Sequence, residues 1–294
     1  MANFVKIGLG TMWLWLSVCS AVLLGIYDVA KKTALKRNGV YWILLSATAL
    51  TALYLSPFLS HGSLQDHLSL VLKAVLVSTS WVSGLIAMQH LPLTTVSTIK
   101  ASRPMFVVIF SIILFGERLN LLQWLGVAVV MTALFLSSRS KRHETDKATS
   151  AKGMTCMIVS VLSGAASALY DKHILQHLEP LFVQSWTNIY ITILLAIVLL
   201  VKYLRDREHF QPFVWDWRIL LISVLITVSD AIYFFAVKDP DAMLSVISMI
   251  RRSSVLIVFL GGVLVFKEGH IRDKALDMAL MMAGVALLLF GSAV

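Results

Sequence analysis

Four cations stand inside long apolar stretches of this sequence, Lys100 and Arg103 in one, Arg251 and Arg252 in another. Ser97, Lys100 and Arg103 are spaced to fall on one helical face, and Ser245, Ser248 and the Arg251–Arg252 pair cluster on one face in the same way. Hydroxyls beside an ammonium and paired guanidinium donors make a stripe suited to phosphate or carboxylate. A basic residue at the centre of a membrane helix costs about 2.5–3.5 kcal/mol, so four facing lipid would cost on the order of 10 kcal/mol. They must face a partner, a wet cavity or a bound anion. Asp230 and Tyr233, one turn apart in a further apolar stretch, are placed either to line the same cavity or to serve as ordinary core residues. The competing assignment for the cations is structural pairing with Asp28, Asp171 or Asp230. Asp28 and Asp171 fall near expected helix ends, so only Asp230 is deep enough to compete, and one carboxylate cannot offset four cations.

Other chemistry finds little support. The eight histidines lie in loops or at span ends, so no metal site is expected. Cys19 and Cys156 fall inside apolar segments and read as small core residues. An intramembrane enzyme needs a nucleophile, a metal or a pair of acids near the interface. None is evident, so neither catalytic residues nor a cofactor are expected. Glu117 and Glu268 end apolar segments beside Arg118 and Lys267, which suits a capping or interface role.

The elements that must carry these residues follow from composition. Of 294 residues 58% are hydrophobic and only 14% charged, and mean hydropathy is +0.83, well beyond a soluble domain with about 25% charged residues. Spans of about 20 residues fit near 11–30, 40–60, 68–90, 93–115 and 119–138, then 153–175, 181–201, 218–237, 241–266 and 271–292. The first reads as a retained helix rather than a signal peptide, because a copy of it recurs mid-chain. Residues 139–152 form the one long polar stretch and read as a linker between two units, 11–138 and 153–292. Trp13, Trp15, Trp42, Trp124, Trp215 and Trp217 fall near the expected interfaces as anchors.

The formal charge of +9 follows membrane topology rather than nucleic-acid binding. Sixteen of the 25 Lys and Arg residues flank odd-numbered connections and five, Lys73 and Lys172 among them, the opposite side. The positive-inside rule then puts the linker 139–152 in the cytoplasm and both termini outside.

The halves repeat. Ser17-Val18-Cys19-Ser20 with Tyr27-Asp28 matches Ser160-Val161-Leu162-Ser163 with Tyr170-Asp171. Ser97-x-Ile99-Lys100-x-Ser102 matches Ser248-x-Ile250-Arg251-x-Ser253, and Phe115-x-Glu117 matches Phe266-x-Glu268. Five spans per repeat force the second to cross in the opposite sense, and equivalent loops carry opposite charge bias. The expected fold is an all-α membrane protein of ten transmembrane helices in two inverted five-helix repeats, a transporter architecture with its site at the midplane.

At this point the sequence resembles the drug/metabolite transporter superfamily, EamA type. Arg103-Pro104, Phe115-Gly116-Glu117-Arg118-Leu119 and Gln123-Trp124-Leu125-Gly126 are similar to its pattern around spans four and five, echoed by Phe266-Lys267-Glu268 and Ala283-Gly284-Val285. Within it, Ile99 to Phe106 resembles the span-four motif of the triose-phosphate/phosphate translocators, and Ile250-Arg251-Arg252 their basic pair on span nine. That resemblance implies phosphate-gripping roles for Lys100, Arg251 and Arg252. Arg103 departs from the pattern, standing where those translocators tend to have an acidic residue.

The resulting expectation is a secondary transporter, not an enzyme, moving a small organic anion, phosphorylated in one version, by alternating access. Its partners are a small-molecule substrate and the lipid bilayer, in a bacterial inner membrane given the short loops and the lack of a transit segment. An exporter of amino acids or other amphiphilic metabolites, with the cations salt-bridged, is the alternative.

Overall fold

A computed structural model describes residues 12–34, 39–91, 96, 99–100, 102–139, 151–205, 207, 213–264 and 271–293. In chain order the helices are α1 (Met12–Ala34), α2 (Val40–Tyr54), α3 (Leu64–His90), α4 (Arg103–Phe115) and α5 (Leu121–Arg139). There follow α6 (Ala151–Leu175), α7 (Pro180–Arg205), α8 (Arg218–Lys238), α9 (Leu244–Arg252), α10 (Ser254–Leu264) and α11 (Ile271–Ala293). Among the described residues there is no strand. Among the described residues five helices, α1, α3, α6, α7 and α8, are long and apolar enough to cross a membrane alone.

Two expected spans are interrupted where the cations sit. The Ser102 N–H and hydroxyl both donate to the Ile99 carbonyl, at 3.1 and 2.6 Å. The Ser253 N–H and hydroxyl take the Ile250 carbonyl in the same way, at 2.9 and 2.6 Å. These serines are the last residues of the matched motif, so the repeat copies a helix break as well as a charge. Pro104, in the first turn of α4, has no N–H to continue the ladder and helps enforce the first break; the second breaks without a proline.

Packing follows the inverted repeat. α1 lies along α8, and its counterpart pair, α6 along α3, is joined in the same manner. The Ser20 hydroxyl donates to the Ser229 carbonyl at 2.8 Å, and Ser229 returns the bond at 2.9 Å. Ser80 and Ser160 make the same reciprocal exchange at 2.7 Å each. Small hydroxyl residues allow close helix approach while leaving no polar atom unmet in lipid.

Several boundaries differ from expectation for local reasons. α2 stops at Tyr54 because Ser56-Pro57 opens a 3-10 turn. α3 begins at Leu64 rather than 68, because Ser63 and Asp66 form a capping box in which each side chain meets the other's backbone N–H. Lys73, assigned to the membrane surface, is thereby drawn into the helix interior. α1 runs on to Ala34, which moves Asp28 away from its end. Trp13 is buried at 3% exposure rather than anchoring an interface, whereas Trp15, Trp124, Trp215 and Trp217 are exposed. Cys19 is exposed and not a core residue. Residues 140–150 of the linker, and Glu268, lie outside the described residues.

α5 and α11 cross at Gly126 and Gly284, with backbones in contact. A Cβ on Gly284 would stand 2.9 Å from the Val130 nitrogen and 3.1 Å from the Gly126 carbonyl oxygen, and one on Gly126 3.0 Å from the Gly284 carbonyl oxygen. Backbone cannot give way as a side chain can. Gly284→Ala is therefore expected to destabilise the protein by about 1–3 kcal/mol through overpacking, read as a lowered unfolding midpoint in detergent; an unchanged midpoint would show that the helices stand further apart.

Candidate substrate cavity

Between the repeats lies a cavity of about 570 Å³, to which no described residue of α5, α10 or α11 contributes. Lys100, Arg103, Asp230, Tyr233, Ser248, Arg251 and Arg252 all line it. Ser97, the remaining expected site residue, lies outside the described residues. Ser245, expected on the same face as Ser248, turns away toward Glu117.

Each side chain is held by its local structure. Lys100 precedes the Ser102 break, and Arg103 follows it at the start of α4. The Arg103 Nη2 donates to the Gly164 carbonyl at 2.5 Å. Gly164 leaves the room this requires, since a Cβ there would stand 2.6 Å from the Arg103 Cζ. Arg251 and Arg252 end α9, whose residues Val246, Ile247, Met249 and Ile250 are fully buried and fix its rotation. The Arg251 guanidinium pairs with Asp230 and lies 4.1 Å from the Tyr233 ring centroid, a cation–π geometry.

The cavity is more charged than the sequence alone implied. Asp28 and Lys31 of α1, Lys73 of α3 and Asp171 of α6 also line it. Lys73, only 3% exposed, pairs with Asp171 and lies 4.2 Å from the Phe234 ring centroid. The Tyr233 hydroxyl donates to Asp171 at 3.5 Å. Asp230 is therefore not alone as a deep carboxylate, a correction in which Asp28 lies within the longer α1 and Asp171, near the end of α6, is covered by its pairing with Lys73. Six cations still face three carboxylates, and neither Lys31, Lys100, Arg103 nor Arg252 is in an ion pair with a described carboxylate. The missed residues had a signal in the sequence: Asp28 and Asp171 occupy equivalent places in the two repeats.

The cavity reaches Lys31, near the end of α1, and Val40, the first residue of α2, on the face of the first connection. On the opposite face Glu117 is a buried side chain rather than a surface one, at 9% exposure. It accepts from the N–H groups of Leu244 at 2.7 Å and Ser245 at 3.1 Å, from the Ser245 hydroxyl, and from Lys172 at 2.8 Å. Its capping role is real, though the helix it caps is α9, not its own. Among the described residues no group of three His, Cys, Asp or Glu side chains is placed to share a metal ion.

Two inverted repeats enclosing a polar cavity define a membrane transporter. The chain belongs to the EamA-like transporter family, whose profile matches residues 11–139 and 151–290. The fold is shared with a protein of known crystal structure at a TM-score of 0.73 and 14% sequence identity, over 94% of this chain and 97% of that one. At that identity the likeness shows the fold alone. No curated protein matches the sequence significantly.

The Lys73–Asp171 pair gives a direct test of how the wall is held. Asp171→Asn strands a buried ammonium and is expected to cost about 3–5 kcal/mol, whereas Lys73→Met combined with Asp171→Asn regains most of it. Unfolding midpoints in detergent would report this; a double variant no more stable than the single one would mean that the two groups do not depend on each other.

Proposed function

We propose that this transporter carries a small organic anion, carboxylated or phosphorylated, in a site between the broken spans four and nine. The supporting observation is the surplus of cations lining the cavity: six against three carboxylates, with Lys100, Arg103 and Arg252 outside any ion pair with a described carboxylate. A charge buried without a partner is costly, and a guest carrying negative charge supplies what the wall lacks. Lys100 meets the guest as a point charge and Arg252 as a fork of paired donors. Ser248 offers a hydroxyl beside them. The two units, 11–138 and 153–292, rock against each other to expose the site to either side. In the proposed orientation the face reached by Lys31 and Val40 is cytoplasmic, both termini are outside, and the membrane is a bacterial inner membrane; no catalytic step is involved.

A second reading is supported by the Arg251–Asp230 and Lys73–Asp171 pairs. With part of the charge met internally, a zwitterion such as an amino acid becomes a fitting cargo. Thermal-shift measurements against phosphorylated, carboxylated and zwitterionic compounds separate the two.

In proteoliposomes loaded with a panel of such compounds, Lys100→Ala and Arg252→Ala are each expected to slow transport of the preferred anion about tenfold or more, the loss of a charge-assisted hydrogen bond of roughly 1.5–3 kcal/mol. Wild-type rates in both variants across every anion would end the anion-site reading.

A further inference from the structure

Asp171 and Lys172 are neighbours on α6 that reach in different directions. Asp171 turns into the cavity, where Lys73 of α3 and the Tyr233 hydroxyl of α8 meet it. Lys172 turns toward Glu117, in the connection after α4, and also donates to the Ala242 carbonyl at 2.7 Å. Glu117 in turn holds two N–H groups at the N-terminus of α9, where unpaired donors and the helix dipole favour a carboxylate. At its other end α9 carries Arg251, whose guanidinium lies over the Tyr233 ring.

These contacts form a closed circuit. It leaves α9 at Arg251, passes through Tyr233 to Asp171, crosses one peptide bond to Lys172, and returns through Glu117 to the first turn of α9. We infer that this circuit is a latch that shuts the cavity on the Glu117 face, and that an anion engaging Arg251 and Arg252 releases it through Tyr233. The inference rests on the anion reading of the cation cluster. An anion competing with Asp230 for the Arg251 guanidinium draws it off the Tyr233 ring. The 3.5 Å bond from Tyr233 to Asp171 is the longest in the circuit, and hydrogen bonds weaken steeply with poor geometry, so this link yields first. Tyr233 and Asp171 are in this account positioning residues and not ligands of the substrate.

The test uses the full chain with Cys19→Ser and Cys156→Ser, and Ala168→Cys as a reporter in the cavity wall. Sealed vesicles are treated with a membrane-impermeant maleimide from each face. The parent is expected to label from the Lys31 face and little from the Glu117 face. Lys172→Met is expected to raise Glu117-face labelling several-fold. Saturating inorganic phosphate or succinate is expected to raise it in the parent but not in Tyr233→Phe, an anion dependence that a merely structural role for the hydroxyl would leave intact. Unchanged labelling in Lys172→Met would remove the latch. An equal anion response in parent and Tyr233→Phe, or none in a parent that binds the probe by calorimetry, would remove the coupling. Absence of probe binding in the parent would instead sink the anion reading, which the labelling of Lys172→Met does not depend on.

Discussion

A charge taken out of water must find an opposite charge or a polar guest, and the arrangement around the cavity follows from that demand. Moving an isolated ion into a low-dielectric interior is far more costly than any single packing contact is favourable. Lys73 meets the demand with Asp171, Arg251 with Asp230, and Lys172 with Glu117. Arg103 meets it in part with the Gly164 carbonyl. Lys31, Lys100 and Arg252 face the cavity without an ion-pair partner among the described carboxylates. The wall thus holds two kinds of cation, those met by a carboxylate or carbonyl of the protein and those without an ion-pair partner among the described carboxylates.

Helix breaks make this possible. An unbroken span four would run its ladder of hydrogen bonds past Lys100 and Arg103, and the same holds for span nine at Arg251 and Arg252. The serines that end each first segment return a hydroxyl and an N–H to a single carbonyl, so an irregular backbone is tolerated within the membrane-spanning region. Irregular backbone at that depth is permitted where it lines a polar cavity, which is where both breaks lie.

Much of this was legible from residues alone. The match of Ser97–Ser102 with Ser248–Ser253 located the two cation-bearing segments, and the inversion followed from five spans per repeat. The breaks themselves were not legible, because a serine within an apolar run reads as ordinary helix, and even Pro104 is tolerated in a first turn. Lys73 was misplaced because its helix begins at a capping box in a polar segment that hydropathy reads as loop. Asp28 reads as peripheral because hydropathy ends its span at 30 while α1 runs on to Ala34. Asp171 does sit four residues from the end of α6, and its depth comes from Lys73 of the neighbouring α3, which sequence spacing does not carry. Glu117 was read as a cap, but the helix it serves is distant in sequence, and no local spacing carries that information. The motif around Gln123 proved partly structural. Gln123 and Asn120 exchange side-chain to backbone bonds at the start of α5, and Gln123 reaches the Ser292 hydroxyl at 3.0 Å.

The crossing of α5 and α11 has a geometric property that α1·α8 and α6·α3 lack, one it shares with α2·α7 and α4·α9. Interchanging the two repeats turns α1·α8 into α6·α3. The α5·α11 pair maps onto itself, although Gly126 and Gly284 are not equivalent positions: the register of the Phe115–Glu117 match sets them opposite Asp277 and Ala133. A pair that is its own mirror partner joins the two repeats across their common axis, and because no described residue of α5 or α11 faces the hollow, its tight fit acts as a seam independent of the charged wall.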